Sequence, residues 1–168
     1  FWRAERGSVT VEFVLLFPAA LYILLLSCEV GLWNTRELML RRATNLVIRE
    51  VRLATDAPPS YEEMKQAICA RSIFTSGCME NLRVEMRALP LGAWSDDAGP
   101  AQCIDHAEEV DPLDTFEPGQ QNELMIVRVC RLFDPIMPGG GFANKVGETA
   151  ENAYGVRVTS AFVTEPLS

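Results

Sequence analysis

The stretch GSVTVEFVLLFPAALYILLLSCEVG, residues 7–31, decides how the rest of the chain is read. From Phe13 to Cys28 it holds no charged residue, and back to Ser8 it runs for 21 residues with Glu12 as the one interruption. At ~1.5 Å per residue a helix of that length reaches roughly 31 Å, about the thickness of a hydrocarbon core. A helix apolar on all faces can be buried only by a domain large enough to surround it, and 168 residues do not make one. A cleaved secretory signal fits less well than a span. The run is longer than a usual signal core, and no A-x-A-like site precedes the polar start at residues 29–36. Residues 8–28 therefore read as a transmembrane helix.

The helical pattern continues past the membrane edge. Leu32, Met39, Ala43, Leu46, Val47, Val51 and Ala54 recur at three- and four-residue spacings, with Arg36, Arg41, Arg42, Arg49 and Arg52 on other faces. No proline falls between residues 19 and 57, so one helix is predicted from about Ser8 to about Ala54, amphipathic over residues 29–55 and ending before Pro58-Pro59. Pro18 lacks a backbone donor and predicts a kink inside the span. An apolar stripe beside charged faces calls for a partner, either a globular head or a neighbouring helix.

Charge divides the chain in the same place. Residues 1–52 carry 7 basic and 5 acidic side chains, a net +2, while residues 53–168 carry 8 and 18, a net −10. The total of −8 argues against a nucleic-acid partner, since phosphate recognition needs a basic surface.

Residues 56–168 read as an α+β head. Ser60-x-x-Glu63 after two prolines is a capping-box start, and Met64, Ile68 and Phe74 continue at helical spacing to about Ile73. LRVEMRAL, residues 82–89, alternates as a half-buried strand, with Arg83, Glu85 and Arg87 on its polar side. ELMIVRVCRLF, residues 123–133, is apolar on both faces and predicts a central strand. YGVRVTSAFVT, residues 154–164, predicts a third. Helix first and strands after imply a three-stranded antiparallel sheet with the long helix packed on one face.

Five cysteines are present: Cys28 near the outer end of the apolar run, and Cys69, Cys78, Cys103 and Cys130 in the head. An even four in a small head on a membrane span points to disulfides in an oxidising compartment, and four cysteines allow three pairings. Position favours Cys69–Cys78, from the end of the short helix to the loop beyond it, and Cys103–Cys130, which pins a long loop to the central strand. Four free thiols in a reducing compartment are the alternative. No metal is predicted, because there is no C-x-x-C pair and His106 is the one histidine.

The amino end carries the most specific motif. Arg3 and Arg6 precede Gly7, and a cut after Gly7 makes Glu12 the fifth residue of the shortened chain. A carboxylate at the head of an apolar span is costly unless paired, and the new α-amino group of a neighbouring subunit is a suitable partner. Together with Val11-Glu12-Phe13, Pro18 and Glu29-Val30-Gly31, this stretch resembles the TadE-like family, minor pilins or pseudopilins of the bacterial tight-adherence (Tad) type IV pilus system. The resemblance covers roughly residues 7–49.

That resemblance implies a prepilin-type leader at residues 1–7, processing between Gly7 and Ser8 by a prepilin peptidase, and intramembrane pairing at Glu12. It also implies a single-pass protein of the inner (cytoplasmic) membrane, amino end in the cytoplasm and head in the periplasm. Its partners are then membrane lipid and other pilins or membrane-complex subunits met through the helix. The implied role is structural, with no enzyme activity and no cofactor. A second reading keeps the leader in place, as an uncleaved accessory subunit stabilising a larger membrane complex. Counting basic residues puts Arg3 and Arg6 before the span and five arginines soon after it, which taken alone favours the reverse orientation. The head cysteines and the resemblance outweigh that count.

Two further segments bear on possible chemistry. Residues 95–123 hold Asp96, Asp97, Asp105, Glu108, Glu109, Asp111, Asp114, Glu117 and Glu123 without a Lys or Arg. Calcium takes six to eight oxygen ligands, but the spacing is not that of an EF-hand, so a solvated acidic loop or a contact for a basic partner is the simpler expectation. Pro138-Gly139-Gly140-Gly141 lacks the Lys and Ser/Thr of a phosphate loop and reads as a turn. No nucleophile and base stand at catalytic spacing.

Overall fold

The computed structural model describes residues 8–53, 59–89, 99, 101–104, 116, 117, 119, 120, 122–137 and 153–164. The elements are α1 (Ser8–Leu53), α2 (Tyr61–Arg71), α3 (Cys78–Asn81), β1 (Leu82–Ala88), β2 (Leu124–Phe133) and β3 (Tyr154–Val163). The architecture is α+β, with a long apolar amino-terminal helix and a small head bearing a short helix and a three-stranded antiparallel sheet.

Helix α1 is 46 residues long, about 69 Å at the α-helical rise, and is assigned as helix straight through Pro18. Its inner half is exposed on every side, Val9, Phe13, Leu16 and Ile23 included. The apolar window of this helix is wholly unburied, and α1 is the one helix among the described residues long and apolar enough to cross a membrane. Near the end of the run, Ser27 donates to the Ile23 carbonyl, Asn34 to Val30 and Thr35 to Gly31, all four residues back. Each side chain returns one hydrogen bond to the helix backbone, which lowers the cost of carrying it where water is scarce.

The outer half of α1 lies on the head. Leu40, Ala43, Thr44, Val47 and Ile48 are buried, with Trp33 and Val51 packed at the margins. Leu46, which the spacing had placed in this stripe, is 42% exposed. It falls too far round the helix from Ala43 and Val47 to reach the sheet, at ~100° of rotation per residue. Helix α1 packs on β3 and α2, and α2 packs on β1, so the two helices together cover one face of the sheet.

The sheet order is β1-β2-β3 with β2 central, in registers that pair Val84 with Val129 and Val129 with Val158. Alternation sends Leu82, Val84, Met86, Met125, Val127, Val129, Tyr154, Val156 and Val158 to the helix side, where all are buried. The opposite face departs from the half-buried strand that alternation predicted. Arg83 on β1 and Arg128 on β2 are buried there. The cause is a cover over that face: Ala101 is buried, Arg157 Nε donates to its carbonyl at 3.0 Å, and Cys103 is bonded to Cys130.

Helix α2 begins as its sequence requires. Ser60 Oγ accepts the Glu63 amide while the Glu63 carboxylate accepts the Ser60 amide at 2.8 Å, a complete capping box. A short helix that the sequence reading did not anticipate, α3, follows Gly77, whose φ of +61° is a left-handed conformation that glycine adopts without strain. Residues 116 and 117 lie along the outer edge of β1, where the Glu117 amide donates to the Met86 carbonyl.

Candidate functional site

The amino-terminal candidates stand apart from the head. Gly7 lies outside the described residues, Ser8 opens α1, and Glu12 is exposed one turn further on among Val9, Val11 and Phe13. Glu12 is 17 residues from Glu29, about 25 Å along the helix, so no head residue described here shares its surroundings. A carboxylate on an apolar span is costly to place in lipid unless it is paired. His106 and most of the acidic segment 95–123, including all of its residues from Asp105 to Thr115, lie outside the described residues.

Polar side chains converge instead where α1 meets the head. Extending the buried stripe of α1 backwards by sevens, from Ala43 to Arg36 to Glu29, lands on two charged residues. Glu29 is only 2% exposed, and both its carboxylate oxygens accept the Ile136 amide, at 2.9 and 3.2 Å. The Arg36 guanidinium donates to the Asp134 carbonyl at 3.1 Å and to the Tyr154 hydroxyl. It also sits 4.8 Å from the Phe133 ring centroid, 5.4 Å from that of Tyr154 and 5.7 Å from that of Phe74. Three aromatic rings and two oxygen acceptors replace the water that this cation gives up.

A second guanidinium approaches the same ring. Arg131 lies 4.6 Å from the Phe133 centroid, and its nitrogens donate to the Ser72 hydroxyl at 2.9 Å and the Ser76 carbonyl at 3.1 Å. Burial lowers the Arg131 pKa, and repulsion from Arg36 adds to that effect. The Tyr154 phenol is raised by burial; Arg36 opposes the rise by its charge and its hydrogen bond, while Glu29 reinforces it. The cluster joins the middle of α1 to the end of β2, the start of β3 and the turn after α2.

These residues were largely missed in the sequence. Glu37 and Glu50 share α1 with its arginines and are the nearest acidic partners along the chain. Arg41 does bond Glu37, one turn away, but Glu50 receives Arg71 of α2, at 2.7 Å from its Oε1, and Arg36 turns to the aromatic cage. The available signal was the seven-residue spacing of Glu29, Arg36 and Ala43.

The head cysteines are joined as Cys69–Cys78 and Cys103–Cys130, with Cα separations of 5.8 and 5.1 Å. Cys28 is free and exposed. On the loop-entropy account the two links, spanning 9 and 27 residues, stabilise the head by about 2.6 and about 3.5 kcal/mol. Gly155 sits against the second link: a Cβ there would lie 2.5 Å from Cys103 Sγ and 3.2 Å from Cys130 Sγ.

Comparison with known families matches one model, that of the TadE-like protein, over residues 7–49. Residues 7–49 belong to the TadE-like family. The match spans about a quarter of the chain and takes in both halves of α1, the exposed apolar run and the stripe that carries Glu29, Arg36 and Ala43. No curated protein and no solved structure matches the chain. Among the described residues no group of His, Cys, Asp and Glu is placed to hold a metal. The matched helix thus carries an apolar segment long enough to cross a membrane and the surface that holds the head.

Proposed function

We propose that this chain is a minor pilin or pseudopilin that assists assembly of a Tad-type adhesive pilus. It is anchored by α1 in the cytoplasmic membrane, with its amino end in the cytoplasm and its head in the periplasm. The observation that supports this reading is the placement of a TadE-like segment on a helix whose apolar half is unburied and carries an exposed Glu12 near its start. An apolar helix surface of that extent needs lipid or other helices around it. In this reading a prepilin peptidase cuts between Gly7 and Ser8, and Glu12 pairs with the new α-amino group of a neighbouring subunit. The periplasm is oxidising, which accords with two disulfides in the head.

Glu12→Ala tests the proposal. Loss of the subunit from pili with normal membrane insertion is the expected outcome, and unchanged incorporation would count against it.

A second reading, an uncleaved subunit that stabilises a larger membrane complex, draws on the outward side of α1. Leu38 and Leu46 are 65% and 42% exposed there, and Arg42 and Arg49 are exposed beside them, away from the head. A charge-reversed Arg42→Glu, Arg49→Glu pair that releases the chain from a native complex while piliation persists would favour this reading over the first.

A further inference from the structure

The loop after β2 is held against α1 at the level where the apolar run ends. Glu29 follows Cys28 directly, and its carboxylate accepts the Ile136 amide at 2.9 Å. Side chains of an α-helix tilt toward its amino end, so this carboxylate lies over the preceding turn, the one that holds Leu25 and Leu26. Those two leucines are half-buried, whereas Leu21, Tyr22, Ile23 and Leu24 are all exposed. Ile136 itself turns outward and is 50% exposed, next to the half-buried Pro135 and Met137. The loop is fixed from its other end as well, by Arg36 on the Asp134 carbonyl.

We propose that residues 134–137 form a second membrane contact, with Ile136 seated in the boundary between headgroups and acyl chains beside α1. This rests on the reading of residues 8–28 as the transmembrane segment. The occupant is lipid because the surface is continuous with the apolar run and offers a branched aliphatic side chain, not a cation. The contact fixes the height and tilt of the head over the membrane, with Glu29 as the positioning residue.

The test uses the full chain in phosphatidylethanolamine–phosphatidylglycerol nanodiscs, in a Cys28→Ser background, with single spin labels at Ile136→Cys, Leu24→Cys and Ile73→Cys. Relaxation by oxygen and by a water-soluble nickel chelate reports depth. Leu24 is 58% exposed within the span, and Ile73 is 69% exposed on the head. The proposal expects oxygen to dominate at 136, as at 24, and nickel to dominate at 73. Nickel dominance at 136 with oxygen dominance at 24 would overturn the loop contact and leave the span intact; nickel dominance at both would overturn the two together. An Ile136→Trp variant in brominated lipid gives an independent reading without a new thiol. Quenching of the added emission supports the contact, and unquenched emission refutes it.

Discussion

The carboxylate of Glu29 receives the backbone amide of Ile136, joining positions 107 residues apart in the chain across the seam between helix and head. Removing the carboxylate leaves a part-buried amide without its acceptor, at about 1.5–3 kcal/mol for a hydrogen bond to a charged group. Glu29→Ala is therefore expected to speed hydrogen exchange of the Ile136 amide by at least about tenfold. Glu29→Gln, which keeps one acceptor oxygen, is expected to fall between the two. Equal exchange in all three proteins would show that the contact does not hold the loop.

Tyr154 gives the head an alkaline limit. Burial raises its pKa in the folded state above the ordinary 10.0, so the folded protein holds the phenolic proton more tightly than the unfolded chain. The corresponding stability is fully present below the unfolded value and is lost as pH rises through the folded one. Thermal unfolding followed between pH 8 and pH 11 is expected to show a Tm that falls above about pH 10. The fall should be shallower in Tyr154→Phe. An equal fall in the variant would assign the effect to other groups.

Gly155→Ala is expected to disrupt the Cys103–Cys130 link, because the added methyl would meet both sulfurs. Neither sulfur is the end of a flexible side chain that can swing aside. Alkylation and mass analysis should find two more free thiols than in the parent, with a stability loss of about 3.5 kcal/mol where the link fails to form. A fully oxidised, equally stable variant would contradict the close packing at this point.

The capping box of α2 predicts an effect at acid pH. The Ser60 amide, and then the Ser60 hydroxyl, hold the Glu63 carboxyl below its ordinary value of 4.5, partly opposed by desolvation. A carboxyl lowered on folding contributes stability above its unfolded pKa, and that stability is lost as pH falls through the folded value. Ser60→Ala is expected to destabilise the head by about 1 kcal/mol at pH 7. The deficit should shrink on acidification, and a deficit independent of pH would separate the cap from the carboxylate.

The parts of this molecule that follow from local pattern were legible in the sequence. The apolar run, the Ser60–Glu63 box and the alternation of residues 82–88 each announce an element through its own neighbours, and the corresponding helices and strands are present. The junction was not legible, because it is made by residues distant in the chain. Arg36 finds Phe74, Phe133 and Tyr154 only once the sheet has formed, and a charged residue in a helical stripe is ordinarily read as solvated. Arg83 was misread for the same reason. Its strand alternates as if one face met water, and the cover that buries that face comes from Ala101 and Cys103, well beyond the strand in sequence. Family resemblance could not supply the junction's head side either, since the match ends at residue 49.

Whether this chain acts as a processed minor pilin is decided by intact-mass and terminal-peptide analysis of the protein taken from native membranes and pili. A processed minor pilin begins at Ser8, with Glu12 at its fifth position. A chain from the same membranes that retains Gly7 and the residues before it would contradict that role.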